Sequence, residues 1–368
     1  MKKTSKILAV VLAVMLVATA VVVLAACDDK TAGAAYGLVH RQGYVGKATV
    51  STKDGAITKA TLDEACFPDH VTAEAADGDY TVTKTVKESD VHYYKTVKWA
   101  DVTATYDETD GYKVGEKTLK EYFADEANAK AYFEAVVANK VTVVTSAGEK
   151  KNILTAANLL KSKNGYWDGE LIHEGQLGWK ANVQATIDYV VAHGFDNATF
   201  TKTEGKWVDA AGVATGATWT DMADYINLLS LANTRSIFAA TNTIAAELIN
   251  TTQRSGHNYQ VRLTITIQDG KITAVTLGEL DAEYEWSSSN NYGNKEQLQT
   301  WVDEKIVGQT IETVKGWKVD LTQRGAGAIV EGPDSFHYTS DSGRDMGSTE
   351  TCSRLIAAIQ DALSKLPA

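Results

Sequence analysis

Two stretches of the chain alternate apolar and polar residues, and each alternation is interrupted once by an Asp-Gly pair. The first reads Gly46-Lys-Ala-Thr-Val-Ser-Thr-Lys-Asp-Gly-Ala-Ile-Thr-Lys-Ala-Thr-Leu-Asp-Glu64. The second reads Gln260-Val-Arg-Leu-Thr-Ile-Thr-Ile-Gln-Asp-Gly-Lys-Ile-Thr-Ala-Val-Thr-Leu-Gly-Glu279. A period of two puts every second side chain on one face of a strand, so one face is buried and the other stays polar. Asp54-Gly55 and Asp269-Gly270 supply the positive φ angles that a two-residue hairpin turn requires. Two copies with matching turn and flanks predict two related domains.

Elsewhere the period lengthens toward that of a helix. Leu355, Ile359 and Leu363 recur every four residues, and Ile356 and Leu366 widen the stripe, predicting a terminal helix over 353–366. Helices are also predicted over 126–139, over 181–193 with Gly194 as C-cap, over 221–232 and over 295–306. Asp221 and Asp224 fall in a first turn, where the helix dipole favours carboxylates. Residues 236–249 read as a further helix, linking the halves or docking on the second. Antiparallel hairpins with scattered helices give an α+β class. Each half is expected to be an antiparallel sheet with packed helices and a C-terminal helix. The boundary is placed near Asn233, giving domains 36–233, enlarged by an insertion, and 234–368.

The N-terminus follows neither period. Lys2, Lys3 and Lys6 precede a stretch, residues 7–26, without any charge, which ends in Leu24-Ala25-Ala26-Cys27. A positive start, an apolar core and small residues at the end are the parts of a secretory signal. A run of that length could also span a bilayer as one helix. The small residues before Cys27 and the polar Asp28, Asp29 and Lys30 after it instead resemble a bacterial lipobox. That resemblance implies a signal peptide over 1–26, a diacylated Cys27 and a tether over 27–35. Acyl chains in a pair anchor stably where one holds only marginally. The expected location is the extracytoplasmic face of a cell membrane.

Composition narrows the chemistry. The 368 residues carry a formal net charge of -11, and loss of the three leader lysines makes the exported part more acidic still. Such a surface excludes nucleic acid and anionic lipid head groups as partners. Cys66 and Cys352 are too few for a disulfide framework or a zinc site and read as buried thiols. His40, His70, His92, His173, His193, His257 and His337 show no metal-ligand spacing, so no metal site is expected. Phosphate-loop, Rossmann-glycine and Gly-x-Ser-x-Gly patterns are absent.

One constellation remains. Thr215-Gly216-Ala217-Thr218 precedes the helix predicted from residue 221, and Gly347-Ser348-Thr349 precedes the one predicted from residue 353. A hairpin with an Asp-Gly turn, followed by a small-residue turn with a hydroxyl before a helix, resembles the FMN-binding domain family. That family's attachment signature runs approximately Asp-x-x-Ser/Thr-Gly-Ala-Ser/Thr, and a flavin transferase esterifies the last hydroxyl to the phosphate of FMN. By that resemblance Thr218 is the flavin-bearing residue and Thr349 a second acceptor. Gly212 stands where the signature has Asp, with Asp209 further upstream. In the second half Met346, Ser348 and Gly343 depart from the signature. A helix start aims free N–H groups at a phosphate, whereas a plain reading makes each cluster a turn and helix cap.

The resemblance implies a membrane-anchored electron carrier rather than a free-standing enzyme. Its FMN would take electrons from a membrane dehydrogenase or quinol-linked donor and pass them to extracytoplasmic acceptors. Trp219, beside the acceptor, is the residue expected to meet the flavin ring. The competing expectation is a flavin-free binding or scaffold lipoprotein of the cell envelope.

Overall fold

The computed structural model describes residues 32–40, 43–70, 72–76, 79–84, 94–145, 151–168, 176–195, 199–203, 205–250, 259–280, 295–323, 328–335, 337–339, 345–347 and 349–367. The signal segment, Cys27, the tether up to residue 31 and Ser348 lie outside them. The fold is α+β, built on antiparallel sheets. It divides into two compact units, one ending at Leu229 and the other beginning at Ser230.

The first unit opens with β1 (Ala32–Leu38), β2 (Tyr44–Lys53) and β3 (Ala56–Cys66), a three-stranded antiparallel meander. Lys53 pairs with Ala56, so Asp54 and Gly55 form the whole turn, at φ 53° and 81°. Those angles fit a turn that follows the right-handed strand twist. Inward positions along β3 are Ala60, Leu62, Glu64 and Cys66, all buried. A hairpin of β4 (Thr72–Ala76) and β5 (Asp79–Lys84) follows.

Next come β6 (Tyr94–Trp99), β7 (Val102–Asp107), β8 (Gly111–Val114) and β9 (Lys117–Thr118), then α1 (Leu119–Phe123) and α2 (Glu126–Val137). Strands β10 (Val141–Thr145) and β11 (Lys151–Leu154) complete a six-stranded sheet ordered β11-β10-β6-β7-β8-β9. Thr118 and Glu121 form a capping box at the start of α1, and Asp125 caps α2 through the Ala127 N–H. Phe67, Trp99, Phe123 and Tyr132 pack ring against ring between these elements, with centroids 5.2–6.1 Å apart. The Tyr132 hydroxyl donates to the carbonyl of Cys66 at 2.7 Å, closing the only polar atom of that ring.

The short α3 (Ala156–Leu159), the helix α4 (Trp179–His193) and the hairpin of β12 (Thr201–Thr203) and β13 (Lys206–Val208) lead to α5 (Met222–Thr241). Gly194 ends α4 at φ 67°, where a side chain is disfavoured. Helix α4 packs against β3.

Helix α5 runs through the boundary between the units, so the predicted helices over 221–232 and 236–249 are corrected. The first extends to Thr241, and the remainder becomes β14 (Thr243–Asn250). Asn242, at φ 53°, stops the helix. Beyond it Ile244, Ala246 and Leu248 are buried while Ala245 and Glu247 are exposed, a period of two. Apolar Ala and Leu suit either element, and pairing to the next strand decides for the sheet.

Strands β15 (Tyr259–Gln268) and β16 (Lys271–Leu280) complete the second meander, ordered β14-β15-β16. Asp269 and Gly270 turn it at φ 49° and 72°. Helix α6 (Lys295–Lys305) packs on β16, and α7 (Ile311–Gly316) follows. Two short hairpins come next, β17 (Lys318–Val319) with β18 (Ile329–Glu331), and β19 (His337–Thr339) with β20 (Asp345–Gly347). The last helix, α8 (Thr349–Ser364), packs on β14 with Leu355, Ile356, Ile359 and Leu363 fully buried.

Gly278 tests this packing. A Cβ there would lie 2.6 Å from the carbonyl oxygen of Arg262, a backbone atom in the neighbouring strand that cannot rotate away. Gly278→Ala is expected to cost about 1–3 kcal/mol. Gly316→Ala, where an added Cβ meets nothing within 4 Å, should stay within about 0.5 kcal/mol of wild type. Denaturation midpoints of the two variants check this. Equal midpoints would show that the β15–β16 contact is looser than described.

Candidate functional site

The Thr215–Thr218 loop is held on three sides by the first unit. On one side Asp209 starts a tight turn after β13. Its Oδ1 accepts the N–H groups of Ala211 at 2.9 Å and Val213 at 2.7 Å, and its Oδ2 accepts the Tyr189 hydroxyl. Gly212 sits in that turn at φ 84°. A left-handed backbone suits glycine, and Asp209 supplies the structural carboxylate three positions earlier. The Thr215 N–H then donates to the Trp207 carbonyl at 2.8 Å, and the buried Thr215 Oγ1 accepts the Ala217 N–H at 3.1 Å.

Gly216 turns the chain at φ 78° against α4, where a Cβ would stand 3.7 Å from that of Ala185. Ala217 is fully buried, and Thr218 is half-buried. The Leu177 N–H donates to Thr218 Oγ1 at 2.9 Å. The Lys202 ammonium donates to the Thr218 carbonyl at 3.1 Å, which places a cation beside the candidate acceptor. Helix α5 begins only at Met222, so Trp219, Thr220 and Asp221 separate Thr218 from it.

The expectation of free N–H groups at this site is corrected. Thr218 and Trp219 both donate their N–H to one oxygen, Asn182 Oδ1, at 2.6 and 3.1 Å. Trp219 lies parallel to Tyr225, with ring centroids 3.9 Å apart at 5°. Its indole Nε1 points at the Met222 sulfur, 3.1 Å away.

Beneath this pair lies a buried charge network that sequence reading did not single out. The Tyr225 hydroxyl donates to Glu64 Oε2 at 2.7 Å, and the Trp179 indole donates to the same oxygen at 3.1 Å. Lys161 Nζ meets Glu64 Oε1 at 2.7 Å, and both residues are almost fully buried. The ammonium also stands over the rings of Tyr44 and Trp167, 4.5 and 5.1 Å from their centroids. A signal was present, because Glu64 shares the inward parity of Ala60 and Leu62. Lys161 and Asn182 carried none, since their partners are distant in sequence.

At the start of α5 the carboxylates serve His40. The imidazole Nδ1 bonds Asp221, and the His40 N–H donates to Asp224 Oδ2 at 3.2 Å. Burial, followed by the charge of Asp221, raises the Asp224 carboxyl above its ordinary range. Burial likewise pushes the Cys66 thiol up to about 12, which suits a core residue and not a nucleophile. Cys352 is buried as well. Among the described residues no group of histidines, cysteines and carboxylates is arranged to hold a metal ion.

In the second unit Gly347 ends β20 and Thr349 is the first residue of α8, so this candidate acceptor starts a helix. Thr218 and Thr349 are thus placed differently relative to their helices. Trp167, Trp179 and Trp301 are core residues.

The Tyr189 hydroxyl, and after it the Val213 and Ala211 N–H groups, hold the Asp209 carboxyl below the usual carboxylate range. A depressed acid stabilises the fold fully above its unfolded pKa and loses that contribution as pH falls through the folded value. The loop is therefore expected to loosen only below about pH 4. Asp209→Asn should flatten that acid response, as read from tryptophan emission during acid titration. An unchanged acid limb would remove Asp209 as the anchor.

No family model matches the chain, and neither a curated protein nor a solved structure does. The chain's own residues therefore carry the functional reading.

Proposed function

We propose that the chain is a membrane-anchored flavoprotein electron carrier of the FMN-binding domain kind, with two tandem domains and FMN esterified to Thr218. The observation that carries this reading is the Thr218 hydroxyl itself. It stands half-exposed at the end of a Thr-Gly-Ala-Thr loop, oriented by the Leu177 N–H, with a lysine cation at its own carbonyl. Glycine at 216 and alanine at 217 keep bulk away from the hydroxyl, and Lys202 suits a phosphate. FMN, when bound, supplies reversible electron uptake and release. Thr218 would hold it by the ester, Lys202 would face the phosphate, and Trp219, backed by Tyr225, would offer an aromatic surface to the ring. Cys27 would be the lipid-bearing residue that keeps the carrier beside a membrane dehydrogenase or quinol-linked donor. Among the described residues no helix is long and apolar enough to cross a membrane.

A second reading, a flavin-free binding or scaffold lipoprotein, draws on the occupied N–H groups. Asn182 already satisfies the donors that a phosphate would use. Co-expression with a flavin transferase separates the two readings. The denatured protein on a gel should fluoresce as flavin, and its intact mass should show one added FMN. A dark band with the mass of the polypeptide alone would leave the scaffold reading.

A further inference from the structure

Asn182 is a buried side chain in α4 whose carboxamide is fully engaged around the candidate attachment loop. Its Nδ2 donates to the carbonyls of Leu177 at 2.8 Å and Gly178 at 3.1 Å, which fixes the other end as oxygen. That oxygen accepts the N–H groups of Thr218 and Trp219 and faces Thr218 Oγ1 at 3.4 Å. Two successive N–H groups converging on one point form the concavity that backbone offers to an anion. Here a neutral oxygen fills it. The Thr218 hydroxyl therefore has a fixed partner on each side, with Leu177 N–H at one lone pair and Asn182 toward its hydrogen.

Resting on the flavin reading of Thr218, we propose that Asn182 is a positioning residue for flavin attachment. It holds the Thr218 hydroxyl in one orientation and keeps the two N–H groups converged until a phosphate oxygen takes them over. The step itself uses an activated flavin nucleotide carrying a phosphoanhydride. Thr218 Oγ1 attacks the flavin-side phosphorus, and the new O–P bond forms. The anhydride P–O bond breaks, the other phosphate leaves with its nucleotide, and the hydroxyl proton passes to a base of the transferase. No electrons are transferred. A carboxamide suits this sequence because it orders the loop without presenting a charge to the incoming phosphate. A carboxylate of the same shape would hold the N–H groups harder and repel that phosphate.

The test uses the whole chain with flavin transferase and a flavin dinucleotide donor, following incorporation by intact mass. Amide hydrogen exchange at Thr218 and Trp219 is measured before loading. In Asn182→Leu both amides should lose protection, and kcat for loading should fall about a hundredfold while KM for the acceptor protein hardly changes. In Asn182→Asp the ionised carboxylate faces the Leu177 and Gly178 carbonyls as well as the incoming phosphate, so loading relative to wild type should be poor at about pH 8 and recover at lower pH as the introduced carboxyl protonates. Should Asn182→Leu fail to fold, the Asn182→Asp profile decides, and a flat pH ratio overturns the proposal. Equal loading of wild type and Asn182→Leu overturns the role of Asn182 and leaves the flavin reading standing. A wild type that takes no flavin overturns both.

Discussion

Glu64→Leu is expected to lower the stability of the first unit by about 3–5 kcal/mol, the usual result of removing one partner from a buried ion pair. The loss is large because three groups are orphaned at once. Lys161 keeps a charge with almost no access to water, beside the faces of Tyr44 and Trp167. The Tyr225 hydroxyl and the Trp179 indole lose their shared acceptor. Against a total stability of about 5–15 kcal/mol for an ordinary domain, that change removes a large share of the stability. Replacing Lys161 with Met in the same chain should restore part of the stability, because an apolar pair removes the stranded charge while the Tyr225 hydroxyl and the Trp179 indole stay without their acceptor. Urea denaturation followed by tryptophan emission measures both. A double variant no more stable than Glu64→Leu alone would contradict the ion-pair account and point to packing as the cause.

Thr218→Val is expected to abolish covalent flavin at the first unit. Valine keeps the shape and removes the oxygen that the ester needs. The structural cost is modest, because the change removes the Leu177 N–H bond to Thr218 Oγ1 and the longer bond from that hydroxyl to Asn182 Oδ1, together about 1–2 kcal/mol. The fold should therefore survive while the gel band loses its fluorescence. Combining Thr218→Val with Thr349→Val separates the two acceptors by mass. Flavin persisting in Thr218→Val and vanishing only in the double variant would move the attachment to Thr349. Flavin persisting in the double variant would defeat both assignments.

The units show where local pattern suffices. Both hairpins were legible because alternation and an Asp-Gly pair are local, and the turn angles at residues 54–55 and 269–270 follow from them. Helices α2, α4, α6 and α8 were legible from their spacing for the same reason. The stretch 236–249 was misread because its alanines and leucines satisfy either period, and only hydrogen bonding to β15 settles it. The third strand of each meander, β1 and β14, carries no Asp-Gly marker, and the joining of β10 to β6 in the six-stranded sheet depends on long-range pairing.

The loop at 215–218 divides in the same way. The chain by itself specified two Asp-Gly hairpins, the terminal amphipathic helix, the small-residue loop at 215–218 and its hydroxyl. Tertiary structure decided that the loop N–H groups are spent on Asn182 and that Glu64 faces Lys161 in the core. The reason is range. Turn angles and helix stripes arise between neighbours along the chain, whereas a buried charge or a filled N–H pair needs a partner that folding brings from dozens of residues away.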